Sequence, residues 1–245
     1  RSAHGAIGEM LEEGNKIGTR CHVVDCDLEA FFDTVDHQKL MARLRQRTTD
    51  PGLLALILNY LKAGAISQEG RYEESLRGVP QGGPLSPLMA NILLDELDDQ
   101  LEERGHKFVR YADDFVILCR SQRAGQRILR SVRRFLADKL KLIVNEAKSR
   151  VVKLAEASFL GFQIVRRKVR WTKKSQEKFK AKVKQITKRT RGHSPKKVIA
   201  ELQSYLRGSV NYYGLGIAFG EARELDKWVR RRMRLYYWIA KRRAH

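Results

Sequence analysis

The chain has 245 residues, 42% of them hydrophobic. That is enough for one large core or two modest ones, and no run of about 18 apolar residues marks a membrane span. The net charge is +21, and residues 161–245 hold 25 Lys/Arg against 5 Asp/Glu while residues 1–160 hold 24 against 23; nearly the whole excess therefore lies in the C-terminal third, interleaved with Trp171, Tyr205, Tyr212, Tyr213, Trp228, Tyr236, Tyr237 and Trp238, a pairing of basic density with aromatics that favours nucleic acid as a partner.

Residues 1–8 do not read as a signal peptide. His22 to Leu28 is a short apolar run that predicts a buried strand. Leu40, Met41 and Leu44, then Leu54, Ile57, Leu58 and Leu61, have helical spacing. Ser86-Pro87 predicts a helix start with Ser at the N-cap and Pro at N1, and Met89, Leu93, Leu97 and Leu101 follow on one face. Phe108–Tyr111 and Phe115–Cys119 read as strands joined by Ala112-Asp113-Asp114 at a hairpin tip. The next helix has Ile128, Leu129, Val132, Phe135, Leu136 and Leu140 as its apolar stripe and Arg123, Arg127, Arg130 and Arg134 opposite. Leu142–Val144, Phe159–Val165 and Val169–Thr172 are further strand candidates. After Lys173 the pattern is helical, with Ser194-Pro195 opening one helix and Arg223–Arg242 forming another. Cys21, Cys26 and Cys119 have neither metal-ligand nor disulfide-framework spacing and read as reduced, buried thiols.

Two acidic places stand out. Asp27 ends the first apolar strand, and Asp113-Asp114 lie between two hydrophobic strands. A solvated turn is the plain reading of two adjacent Asp. Phosphoryl transfer by two metals asks for more: carboxylates from separate strands converging on ions roughly 4 Å apart, with bound cations relieving the repulsion between neighbouring carboxylates.

These segments carry a family resemblance. Tyr111-Ala112-Asp113-Asp114 resembles the signature tetrapeptide of reverse transcriptases. Asp27 to His37 resembles their first catalytic block, in the form found in group II intron and related bacterial enzymes. Gly78 to Pro87 resembles the block bordering the incoming nucleotide, Asn145 to Lys148 the palm motif with a lysine near the phosphates, Phe159-Leu160-Gly161-Phe162 the primer grip, and Arg1 to His4 a block late in the fingers. Leu202 to Gly214 and Leu225 to Arg234 are similar to the maturase-specific (X, or thumb) region.

The resemblance implies an α+β fold: a right-hand polymerase palm with partial fingers over residues 1–160, then an all-α thumb/maturase region over 161–245. It implies RNA-directed DNA synthesis with Asp27, Asp113 and Asp114 as catalytic metal ligands for two Mg²⁺ (or Mn²⁺) ions, helped by the backbone carbonyl of Leu28. Phe32 would be the ring that excludes a 2′-hydroxyl, Gln81 and Gly82 would border the nucleotide, and Lys148 would assist the pyrophosphate. Phe159, Leu160 and Gly161 would form the primer grip, and Arg207, Arg230, Arg231, Arg232 and Arg234 an RNA-binding patch whose members cannot all face one side of a helix.

The implied partners are an RNA template and intron RNA, a DNA primer or target, and dNTPs, in the bacterial cytoplasm beside the nucleoid; the oligomeric state is not set by the sequence. Asp25 is a weaker site candidate, Asp33, Asp36, His4 and His37 read as structural, and Leu225, Trp228 and Val229 as core. The basic fingertip residues that grip a triphosphate are expected before Arg1, which would leave residues 1–19 mobile. Two rivals remain at this level: an RNA-binding maturase without polymerase activity, and a reverse transcriptase with a host defence or repair role.

Overall fold

The computed structural model describes residues 2–66, 72–73, 77–80, 83–188 and 191–242, apart from the side chains at 65–66, 72–73 and 239–242. The chain divides into two compact units, Arg1–Ala157 and Ser158–His245.

In the first unit, helix α1 (Ala3–Ile17) starts at Ser2, whose hydroxyl accepts from the Gly5 N–H at 3.0 Å. It buries Ala6, Ile7 and Met10 and packs on two strands of the sheet. The expectation of a mobile segment over residues 1–19 is therefore corrected: a capped helix with three buried apolar side chains is held by tertiary packing.

The sheet has strands β1 (His22–Cys26), β4 (Lys107–Tyr111), β5 (Asp114–Cys119) and β6 (Arg150–Lys153), antiparallel throughout and ordered β4-β5-β1-β6. Strands β2 (Ala65–Ile66) and β3 (Tyr72–Glu73) pair separately. The second strand of the hairpin begins at Asp114, so its turn is two residues long, Ala112-Asp113, rather than three.

Leu142–Val144 is not a ladder strand. Leu142 and Val144 are buried while Ile143 is exposed, which imitates a strand's period, but only Val144 pairs, in an isolated bridge with Leu28 just beyond β1. The edge position belongs to β6, whose charged ends suit an edge and whose Arg-Val-Val-Lys run is too short to announce itself.

Side-chain alternation divides this sheet into two faces. On one, Val24, Cys26, Phe115 and Ile117 join the core formed with α2 (Phe31–Thr34), α3 (His37–Arg47), α4 (Pro51–Lys62), α5 (Ser86–Glu103) and α6 (Gln122–Phe135). Met89, Leu93, Leu97 and Leu101 of α5 are all within this core, each contributing roughly 1.5–3 kcal/mol by burial. On the other face lie Val23, Val109, Val116 and Leu118, buried; Leu118 lies beside Gly14 of α1.

Ser86 is not the N-cap of α5. Leu85 holds that position without a side-chain bond, and the Ser86 hydroxyl donates instead to the carbonyl of Pro80. Tertiary demand for that acceptor outweighs the local preference for a cap.

In the second unit, β7 (Phe162–Val165) and β8 (Lys168–Trp171) form a hairpin followed by α7 (Lys173–Ile186), α8 (Pro195–Tyr213) and α9 (Phe219–Arg242). Ser194 caps α8 as predicted, accepting from the Lys197 N–H. Helix α9 begins four residues earlier than its predicted start at Arg223. The stretch Phe159-Leu160-Gly161 is a tight turn rather than strand, closed by a bridge between Phe159 and Phe162.

Phe162, Trp171, Phe179, Tyr205, Tyr212 and Tyr213 pack ring on ring with centroids 4.8–5.7 Å apart. These aromatics are the core of the basic unit, so they lend no support to a base-stacking surface. Tyr237 and Trp238 are exposed. Among the described residues no helix is long and apolar enough to cross a membrane.

Candidate active site

The carboxylates come from the ends of the two central strands. Strand β1 pairs with β5 with Cys26 opposite Phe115, and the register carried one residue further sets Asp27 opposite Asp114. Asp25, two residues back, shares the face of Asp27. Asp113 occupies the adjoining turn, whose other residue, Ala112, has φ 56°. An alanine in the left-handed region costs about 1–2 kcal/mol, so the turn is held by its surroundings.

What holds it is Arg110. Its Nε donates to both carboxylate oxygens of Asp98 at 2.8 and 3.0 Å, and its Nη1 donates to Asn91 Oδ1 at 2.8 Å and to the carbonyl of Ala112 at 3.0 Å. Asp98 and Asn91 are on α5. The fork of Arg110 thus ties the acidic turn to a buried helix.

The loop after α6 wraps Asp27. The Asn145 N–H donates to the Asp27 carbonyl at 2.8 Å, and the Asp27 N–H donates to the Ser149 hydroxyl at 3.1 Å. Lys148 Nζ stands 3.4 Å from Asp27 Oδ2, with its backbone N–H bonded to the Asn145 side chain. Arg150 Nε stands 3.6 Å from Asp25 Oδ2. Leu28 is buried and bridges to Val144, fixing the chain immediately after Asp27.

The electrostatics follow. Burial raises the Asp114 carboxyl above its ordinary range although its edge is open to solvent, and the charges of Asp113, Asp27 and Asp25 raise it further. Burial also raises Asp25, against the lowering effect of Arg150. Four carboxylates therefore share one field, opposed by one lysine and one arginine at salt-bridge distance. Among the described residues no three of them close into a ready coordination group. Their hard oxygens are nonetheless the donors that Mg²⁺ and Mn²⁺ take, and the surplus negative charge is what a divalent cation neutralises.

Phe32 is half-buried, its ring edge-on to Phe31 with centroids 5.2 Å apart, and it packs against the core. Its carbonyl accepts from the Val79 N–H, and the Gly78 N–H donates to Val35 at 2.8 Å. Gly78 has φ 88°, and a Cβ there would lie 2.9 Å from the carbonyl oxygens of Phe32 and Asp33, so this close approach admits only glycine. Gln81 and Gly82 lie outside the described residues. His37 Nε2 donates to the Gly78 carbonyl at 2.7 Å, and Asp36 caps α3, both structural as read. The three cysteines are free and buried, with Cys26 pushed up to about 12 by burial, which leaves that thiol protonated and inert.

In the second unit, Leu160 and Gly161 have φ 50° and 80°. A Cβ on Gly161 would lie 2.9 Å from Ser175 Oγ, and the Tyr212 hydroxyl donates to the Leu160 carbonyl at 3.1 Å. Phe159 is buried. Arg207, Arg231 and Arg234 are exposed. Arg230 is exposed and pairs with Asp226 at 2.7 Å. Arg232 departs from the RNA-binding expectation: its Nε and Nη2 donate to Thr187 Oγ1 at 3.1 and 3.0 Å, at the end of α7. Val229 is buried, and Leu225 and Trp228 are half-buried.

In the sequence Asp25 is only a weaker candidate, and nothing there points to Arg110 or Arg150. Strand alternation from Asp27 was a signal for Asp25. Arg110 and Arg150 had none, because their partners are set by packing.

Residues 3–164 match the family described as reverse transcriptase (RNA-dependent DNA polymerase), and residues 176–245 match the group II intron, maturase-specific domain. The chain is 31% identical over 208 residues to Protein YkfC of Escherichia coli (strain K12), an alignment covering 70% of this chain and 54% of that protein. It is 26% identical over 229 residues to group II intron-encoded protein LtrA of Lactococcus lactis subsp. cremoris, covering 67% of this chain and 38% of that one. The chain thus spans about half the length of the first relative and less of the second. In fold it is similar to telomerase from Candida albicans, solved with a TWJ fragment of telomeric RNA, at TM-score 0.56 and 13% identity over 86% of this chain and 43% of that one. With two adjoining family matches, the longer covering the strand-end carboxylates, the chain belongs to the reverse transcriptase family, in its group II intron reverse transcriptase/maturase form.

Proposed function

We propose that the protein extends a DNA primer on an RNA template and that its basic helical unit binds intron RNA to assist splicing and mobility. The observation that carries the polymerase reading is the pairing of Cys26 with Phe115 and of Tyr111 with Asp114, which leaves Asp27, Asp113 and Asp114 at neighbouring strand ends close enough to share one field. In this reading the primer 3′-oxygen attacks the α-phosphorus of a dNTP, a phosphodiester bond forms, and pyrophosphate leaves. Asp27, Asp113 and Asp114 would hold two Mg²⁺ ions, whose contribution is to lower the charge on the attacking and leaving oxygens. Lys148, beside Asp27, is placed to offer a proton or positive charge to the departing pyrophosphate. Phe32 supplies the bulk that opposes a 2′-hydroxyl, and Phe159, Leu160 and Gly161 shape the turn on which the primer end would rest.

The test is primer extension on an RNA template with Mg²⁺. Asp113→Asn removes one charge from the cluster and is expected to lower the rate at least about a hundredfold while RNA affinity stays unchanged. Extension by that variant at close to the wild-type rate would overturn the assignment and favour a maturase that binds RNA without polymerising.

A further inference from the structure

Helix α6 contains Arg123, Arg127, Arg130, Arg133 and Arg134 and no carboxylate, although residues 1–160 are almost neutral. Arg133 turns aside to pair with Glu146 at 2.7 Å. The other four are exposed at spacings of four, three and four residues, which puts them on one stripe. Eleven residues of helix make that stripe about 16 Å long. Like charges three and four residues apart oppose the helix that carries them. A merely solvated face would interleave acids, as the acidic α5 does by pairing Asp95 and Glu96 with arginines of α3.

The stripe also lines a concavity. Arg127, Arg130 and Arg134 face a groove of about 450 Å³ together with Arg104, Lys139 and a single carboxylate, Asp138. The Arg104 guanidinium is fixed by bonds to the Ser131 hydroxyl and to Gln100. Among the described residues none of these five cations forms an ion pair. A second groove, of about 680 Å³, continues from Arg127 and Ser131 to Lys107 and Arg120. His106 lies in it, its basicity lowered by burial and then by the Arg104 charge.

We propose that this arginine-lined groove between α5 and α6 is a binding site for the phosphate backbone of an RNA double helix, separate from the carboxylate site. A duplex carries one charge per about 1.7 Å of axis, as estimated for DNA, so a 16 Å stripe meets several phosphates. Single-stranded nucleic acid is held by stacking on successive aromatic rings, whereas among the described residues the rings lining these two grooves are one half-buried phenyl, Phe135, and one imidazole, His106, with no Trp or Tyr beside them. Arginine forks without aromatic platforms suit a backbone read by shape. The choice of RNA rests on the intron-RNA reading above.

The experiment compares the wild type with Arg127→Gln/Arg130→Gln/Arg134→Gln. Because all three side chains are exposed, the variant should melt like the wild type; a Lys triple variant, which keeps the charge, guards against a folding effect and should retain most of the affinity. Binding of a fully paired RNA hairpin is measured across a salt series. The Gln variant is expected to bind about tenfold more weakly at moderate salt, with a log–log salt slope shallower by about 2. Extension of a short annealed template-primer, which reports the polymerase reading, should stay within about threefold.

Unchanged affinity and slope would sink the groove and leave the polymerase intact. Absent extension in the wild type with the RNA loss still present would sink the polymerase reading and leave the groove. Loss of binding to phosphatidylserine vesicles with RNA binding untouched would reassign the surface to a membrane and overturn the proposal.

Discussion

Asp114 is caught between function and stability. Its carboxyl is raised by burial and by Asp113, Asp27 and Asp25, so the folded protein binds that proton more tightly than the unfolded chain does. The stability cost is therefore absent at low pH and grows as pH rises from the ordinary carboxylate value to the raised one. Asp114→Asn removes the cost. With divalent ions chelated, the melting temperature of this variant minus that of the wild type should be near zero in acid, widen through that window and then level off. Adding Mg²⁺ should narrow the gap, because only the wild type keeps the full charge for the cation to neutralise. A gap independent of pH and of Mg²⁺ would show that the carboxylates do not share a field.

Arg110 acts on the same turn without touching substrate. Its bonds to Asp98, Asn91 and the Ala112 carbonyl hold a strained backbone beside Asp113. Lysine keeps the charge and loses the fork. Arg110→Lys is expected to reduce kcat for primer extension roughly 10- to 100-fold, the size of effect that a misplacement near 1 Å produces, with little change in KM for dNTP. An unchanged kcat would make the network purely structural.

Among the elements, the turn between Phe159 and Phe162 illustrates how a motif can be conformational in origin. Two consecutive left-handed residues, Leu160 and Gly161, reverse the chain into β7. Gly161→Ala would meet Ser175 Oγ and the Tyr213 ring, adding to a backbone cost of about 1–2 kcal/mol. The expected result is a melting temperature lower by several degrees, read by calorimetry on the whole chain. Helix α1 makes a related point: its place against the sheet comes from Ala6, Ile7 and Met10, three apolar positions within one stretch of five residues in a 15-residue helix.

At the scale of the molecule, charge and packing are divided unequally. The second unit holds most of the positive excess, yet its aromatics form its own core and Arg232 is spent on Thr187. The cations it leaves open to solvent include Arg207, Arg231 and Arg234, and these are the ones to which the proposed RNA binding narrows. Replacing Arg231 and Arg234 with Gln should weaken RNA binding and flatten its salt slope by up to about 2, whereas Arg232→Gln should lower thermal stability and leave the slope alone. A slope change from Arg232 equal to that from the exposed pair would return it to the interface.

The sequence by itself determined the family, the succession of a mixed helix-and-strand part by a helical one, and the basic helical tail, and it singled out Asp27, Asp113 and Asp114 as the candidate carboxylates. Each of these is written in local chemistry: an apolar run ending in Asp27, two strands around Asp113-Asp114, and a charge excess too long to be chance. Tertiary structure alone decided what surrounds them. Arg110 finds Asp98 across 12 residues of chain and Lys148 reaches Asp27 across 121, and no local pattern encodes a partner at such separations. It also decided that β6 rather than Leu142–Val144 completes the sheet, because an edge strand needs only one neighbour and little propensity of its own. Phe162, Trp171, Phe179, Tyr205, Tyr212 and Tyr213 pack together for the same kind of reason: a small helical unit rich in Lys and Arg has few other side chains from which to build a core, and burial of large rings supplies it.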